Sequence, residues 1–88
     1  MTTYQDVLLC ENIVERYFAE TTKDIELVWH RDRETRVISP IEETNWKIQL
    51  EDQLPQQIVG ELLIEKGRWH RLIKGDGDLI LKIIKHNG

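Results

Sequence analysis

Three side chains capable of metal or acid-base chemistry stand out by type and spacing. "VWHRDRETR" carries His30 and Asp32 two positions apart, and "GRWHRLIK" carries His70 forty positions later. Side chains of an extended segment repeat with period two, so His30 and Asp32 project from one face. A neighbouring strand bearing His70 would complete a set of two imidazoles and one carboxylate. Such a set occupies one side of an iron or manganese ion and leaves other positions open. Glu34, next on the same face, could act as a fourth ligand or accept an N–H from a histidine. A plainer alternative uses the same residues. His70 would be hydrogen-bonded inside a packed interior, and Asp32 would be ion-paired with Arg31, Arg33 or Arg36.

The elements that must position these residues read as strands. "IVERYFAETT" is rich in β-branched and aromatic residues, and "IELVWHRDRETRVI" alternates well. In that second run Leu27 and Trp29 share one side, and Val28, His30 and Asp32 the other. Pro40 interrupts the run and favours a bend. "NWKIQLED" places Trp46, Ile48 and Leu50 on one face and Lys47, Gln49 and Glu51 on the opposite one. "QLPQQ" is an exposed connection, and "IVGELLIEKG" a short apolar strand closed by Gly67. "RWHRLIK" and "LILKIIK" are joined by "GDGD", whose glycines permit a tight reversal, and this pair predicts a hairpin. In the opening "TTYQDVLLCEN", Thr3 with Asp6 three positions on predicts one or two helical turns. Six or seven short strands at roughly ten-residue spacing predict an all-β sandwich or barrel, and closure of the sheet would remove its edges.

Composition narrows the function. The chain has 88 residues, enough for one domain, with 40% hydrophobic and 32% charged residues and no long apolar run. No membrane span is expected. Acids and bases interleave at a net charge of −4, which offers no broad basic face, so no nucleic-acid partner is expected. A lone Cys10 excludes an internal disulfide and a multi-cysteine zinc site. With no leader-like start, a cytoplasmic setting is expected. No serine elbow or Cys/His pair is present, and "GDGD" lacks the spacing of a calcium loop.

"IEKGRWHRLIKGDGDLILKI" resembles the second motif of the cupin superfamily, in which a Pro-x-Gly-x-x-His run sets a histidine inside a small jelly-roll barrel. Gly67 and His70 match, while Glu65 stands in the proline's place. "VWHRDRETR" is similar to the first motif, His-x-His followed by Glu: His30 matches, Asp32 takes the second histidine's place, and Glu34 comes early. The resemblance spans Ile25 to Ile84 and extends to small stand-alone cupins of tailed bacteriophages and bacteria.

The resemblance implies a small all-β cupin-like jelly-roll barrel over residues 13–86, with residues 1–12 a short helical or extended appendage. It implies a binding module whose pocket holds His30, Asp32, Glu34, Gln49 and His70. Gln49 enters because cupins often carry a polar residue on the strand after the first motif. The metal set would be His30, Asp32 and His70, for divalent iron, manganese, nickel or zinc.

Two other functions compete. One is a scaffold, virion-associated if phage-encoded, with Trp29 and Trp69 on an outer sheet face that forms a homodimer or larger assembly. The other is a metal-dependent isomerase or oxygenase. For 2-oxoglutarate oxygenases, which use a His-x-Asp and distal His triad on a related barrel, Lys82 would be the base that holds the cosubstrate carboxylate.

Overall fold

The computed structural model describes residues 3–86, and its strands form two facing sheets. In chain order the strands are β1 (Gln5–Cys10), β2 (Ile13–Phe18), β3 (Thr35–Pro40), β4 (Lys47–Leu50), β5 (Gln56–Gln57), β6 (Leu62–Ile64), β7 (His70–Ile73) and β8 (Leu79–His86). The larger sheet runs β1-β2-β8-β3-β6 and the smaller β5-β4-β7, and all pairs are antiparallel. A short 3-10 helix at Asp24–Glu26 is the one helical element among the described residues. No helix among them is long and apolar enough to cross a membrane.

Strand alternation builds the core. Leu79, Leu81 and Ile83 of β8 face inward with Val14 and Phe18 of β2, Ile38 of β3 and Ile64 of β6. Across from them lie Trp46, Ile48, Leu50 and Ile58. Of the two faces of "NWKIQL", the one with Trp46, Ile48 and Leu50 is therefore inward, opposite to the face that would carry Gln49 to the pocket, and Trp46 is completely buried.

The structure corrects four local expectations. Residues 5–10 are a strand, not helical turns, because every position from Gln5 to Leu8 pairs with β2 and tertiary pairing overrides a weak cap signal. Residues 1 and 2 of the proposed appendage lie outside the described residues. The tight hairpin is at Glu11–Asn12, between Cys10 and Ile13. Asparagine suits such a turn, and that was the signal available for it.

"GDGD" is not a hairpin turn. It carries the chain from β7 in the small sheet to β8 in the large one. Asn45 and Trp46 hold it there. Asn45 Nδ2 donates to Asp76 Oδ2 at 2.8 Å, the Asp76 amide donates to Asn45 Oδ1 at 2.7 Å, and Trp46 Nε1 donates to the Gly77 carbonyl at 3.0 Å.

The run from Ile25 to Ile38 is not one strand, since only its last part pairs as β3. Nor is the sheet closed into a barrel. The two sheets face each other, and the loop before β3 meets the small sheet at a single bridge, His30 to His70.

On the inner face of the β1–β2 pair, Arg16 donates to both carboxylate oxygens of Asp6, from Nε at 2.7 Å and Nη2 at 2.9 Å. The hydrogen bond from Arg16 holds the Asp6 carboxyl below its ordinary value, against a smaller opposing effect of burial. A carboxyl depressed in the fold contributes stability above its unfolded value, and that contribution is lost as pH falls through the folded one. The loss should therefore fall below about pH 4. Asp6→Asn is expected to lower stability at neutral pH by about 1–2 kcal/mol, a figure reduced for the part-exposed carboxylate, and to flatten acid unfolding in that window. Urea titrations at pH 7 and pH 3 test this: an equal loss at both pH values would refute it.

Candidate metal centre

His30 and His70 meet through their backbones. Each amide donates to the other's carbonyl, at 3.0 Å from His30 and 2.9 Å from His70. This places the rings side by side, with centroids 4.3 Å apart and planes at 61°. Asp32 follows two residues later, where the Gly67 amide donates to its carbonyl at 2.9 Å. Gly67 adopts a φ of +79°, which a non-glycine residue accepts only with strain. The turn before β7 is thus tied to the loop that carries His30 and Asp32. Ligand atoms of His30, Asp32 and His70 all lie within 4.8 Å of one another.

Hydrogen bonding fixes which ring atoms can ligate. His70 Nδ1 lies 2.7 Å from the Arg68 carbonyl and His30 Nδ1 lies 3.1 Å from the Val28 carbonyl. A carbonyl only accepts, so each Nδ1 carries a proton, and in a neutral ring Nε2 is then the atom left to ligate. This is the arrangement in which a second contact orients a ligating imidazole. Backbone carbonyls fill that role, not Glu34.

The carboxylate of Asp32 is divided between two neighbours. Oδ1 lies 3.5 Å from Arg36 Nη1, so the ion-pair alternative is present. Oδ2 lies 3.3 Å from His70 Nε2 and is buried without a hydrogen-bond donor. Burial alone would raise the Asp32 carboxyl, but His70, Arg36 and His30 together hold it below its ordinary value. Asp32 is a carboxylate at neutral pH.

The group borders a cavity of about 300 Å³ between the sheets. Val28, His30, Asp32 and His70 line one part of the wall, and Ile38, Ile48, Ile64, Leu72, Leu81 and Ile83 supply an aliphatic part. Arg16 and Arg36 also reach it. His70 is buried and His30 exposed, so the group spans the interior and the mouth.

Two expected pocket residues stand elsewhere. Glu34 accepts from Arg36 Nη2 at 2.8 Å and does not line the cavity. Gln49 is on the outward side of β4, where its Oε1 accepts from Arg71 at 2.8 Å and its Nε2 donates to the Gln53 carbonyl at 3.0 Å. Lys82 alternates with the inward Leu81 and Ile83 of β8 and does not line the cavity, which removes the cosubstrate anchor from the oxygenase reading. Arg36 pairs with Asp32 and Glu34.

Trp29 and Trp69 do face outward, 40% and 39% exposed. Each is covered by an arginine of the opposite segment. Arg71 lies 4.9 Å from the Trp29 ring and Arg31 lies 5.2 Å from the Trp69 ring. Sequence reasoning missed Arg16. Its position between the inward Val14 and Phe18 was the available signal.

Two antiparallel sheets in jelly-roll order, with a histidine-rich group at the mouth of the space between them, define a small cupin-like domain. Solved structures agree. A cupin domain from Bordetella pertussis Tohama I is similar over 96% of this chain and 94% of its own, with a TM-score of 0.65 at 14% identity. A cupin-2 domain-containing protein from Shewanella frigidimarina is similar over 94% of this chain and 79% of its own, with a TM-score of 0.63 at 20% identity. A protein from Neisseria meningitidis matches 96% of this chain and 82% of its own, with a TM-score of 0.60 at 12% identity. At these identities the likeness establishes the fold alone. No family model and no curated protein matches the sequence.

Proposed function

We propose that the protein is a cupin-type binding module in which His30, Asp32 and His70 hold a divalent metal ion beside a cavity for a small ligand. The observation that carries this reading is the Asp32 Oδ2 atom, buried without a hydrogen-bond partner and 3.3 Å from His70 Nε2. A cation between them would satisfy both. The donor set of two imidazoles and one carboxylate suits iron, manganese, nickel or zinc and leaves coordination positions free. A bound ion would supply a Lewis-acidic point for a polar ligand group, and the aliphatic wall would hold the rest of the molecule.

A proton on His70 Nε2 would also satisfy Asp32, but it gives His30 no part. His30 therefore separates the two explanations. Protein purified without a histidine tag and loaded with zinc is expected to retain about one equivalent, measured by atomic emission after desalting. Both His30→Ala and His70→Ala are expected to reduce this to a small fraction. Sub-stoichiometric metal left unchanged by either substitution would defeat the metal reading and leave a scaffold with a satisfied interior histidine.

A further inference from the structure

Arg16 is a charged group in the cavity wall that the metal reading does not use. It sits on the inner face of β2 between Val14 and Phe18, with its side chain only 10% exposed. Three contacts fix its guanidinium. Nε and Nη2 are bound by Asp6, and Tyr4 lies against one flat face at 3.8 Å from the ring centroid. The third nitrogen, Nη1, has no protein partner among the described residues, and the side chain lines the cavity.

A structural staple between β1 and β2 does not need this placement. Burying an ion pair carries a desolvation penalty, and an apolar side chain of similar volume is often as stable or more so. The other arginine in the wall differs, because Arg36 has Nε and Nη2 on Glu34 and Nη1 near Asp32. Arg16 is thus an immobilised cation with donor capacity to spare, facing a space half of whose other lining residues are aliphatic. Glu26 also lines the cavity, with its Oε2 taken by the Lys23 amide.

We propose that the cavity binds a small monocarboxylate with an aliphatic body, whose carboxylate is held by Arg16 Nη1. The inference rests on reading the cavity as a ligand site, and it does not require the metal. Arginine suits a carboxylate because its fixed, planar donors lose little freedom on binding. A volume of about 300 Å³ admits a compact molecule. The Asp6 carboxylate shares the guanidinium and sets a ceiling on affinity, so millimolar binding is the expected range.

The probes are pentanoate and its uncharged isostere pentanamide, titrated into zinc-loaded and into chelator-treated protein and followed by methyl NMR. Pentanoate is expected to shift the Ile48, Ile64 and Ile83 methyl signals and to bind at least about tenfold more tightly than pentanamide in both preparations. The double variant Asp6→Asn/Arg16→Gln, which removes both charges together, is expected to bring acid and amide within about twofold. Equal binding of acid and amide by the unsubstituted protein overturns the proposal without recourse to a variant. So does the absence of cavity shifts with either probe. A preference that appears only with zinc and survives the double variant assigns the carboxylate to the metal: Arg16 then fails and the metal reading stands. A preference that persists in protein unable to hold zinc does the reverse.

Discussion

Trp46→Ala is expected to destabilise the fold by about 3–5 kcal/mol, the range for removing a large buried aromatic side chain. Trp46 is completely buried, its ring centroid lies 6.0 Å from that of Phe18, and its Nε1 donates to the Gly77 carbonyl. It therefore fills the space between the sheets and tethers the connection that joins them. Small domains hold about 5–15 kcal/mol in total, so this one substitution should leave a substantial unfolded fraction at 37 °C. Trp46→Phe keeps part of the volume, gives up the hydrogen bond, and should cost clearly less. Urea unfolding measures both. A loss below about 1 kcal/mol for the alanine variant would mean that Trp46 does not anchor the sheets.

Two glycines of one turn should respond unequally. At Gly75 an added Cβ would overlap Asn45 Oδ1 and lie 2.7 Å from the Trp46 amide nitrogen and 2.8 Å from the Asn45 carbonyl carbon. Backbone cannot swing aside as a side-chain tip can, so Gly75→Ala is expected to cost about 3 kcal/mol, the upper part of the overpacking range. At Gly77 the space is open and only the φ of +70° is unfavourable, which sets the cost of Gly77→Ala at about 1 kcal/mol. Comparing the urea midpoints of the two variants tests the ranking. Equal or reversed effects would refute the close approach of this turn to the Asn45–Trp46 backbone.

The contrast also shows how far the sequence can be read. The division of a strand into two faces was legible wherever it alternates cleanly, as in Trp46, Ile48 and Leu50 against Lys47, Gln49 and Glu51, because period two is a property of the backbone alone. Which face turns inward was not, and Gln49 was expected in the pocket. The three residues of the candidate centre were legible by type and spacing. Strand pairing was not, because a turn's glycines allow a reversal without stating which sheet receives the next strand. "GDGD" reads as a hairpin until Asn45 and Trp46, some thirty positions earlier, are seen to hold it. The loop from Leu27 to Glu34 has a strand-like pattern yet pairs at His30 alone. It keeps the alternating direction that brings His30 and Asp32 to one side without the ladder expected to enforce it. Arg16 went unread because a charged residue in an alternating strand looks solvent-facing until β1 is laid beside it.

The His30–His70 bridge joins the β3-side loop to the small sheet by two hydrogen bonds, and the same two residues supply both imidazoles. Parting that seam would separate the donors, and an ion shared by the rings would in turn hold the seam together. Escape of a bound ion would then be gated by local backbone opening, with a rate inherited from the clasp and not from the strength of any one coordinate bond. Amide exchange at positions 30 and 70 would time that gate directly.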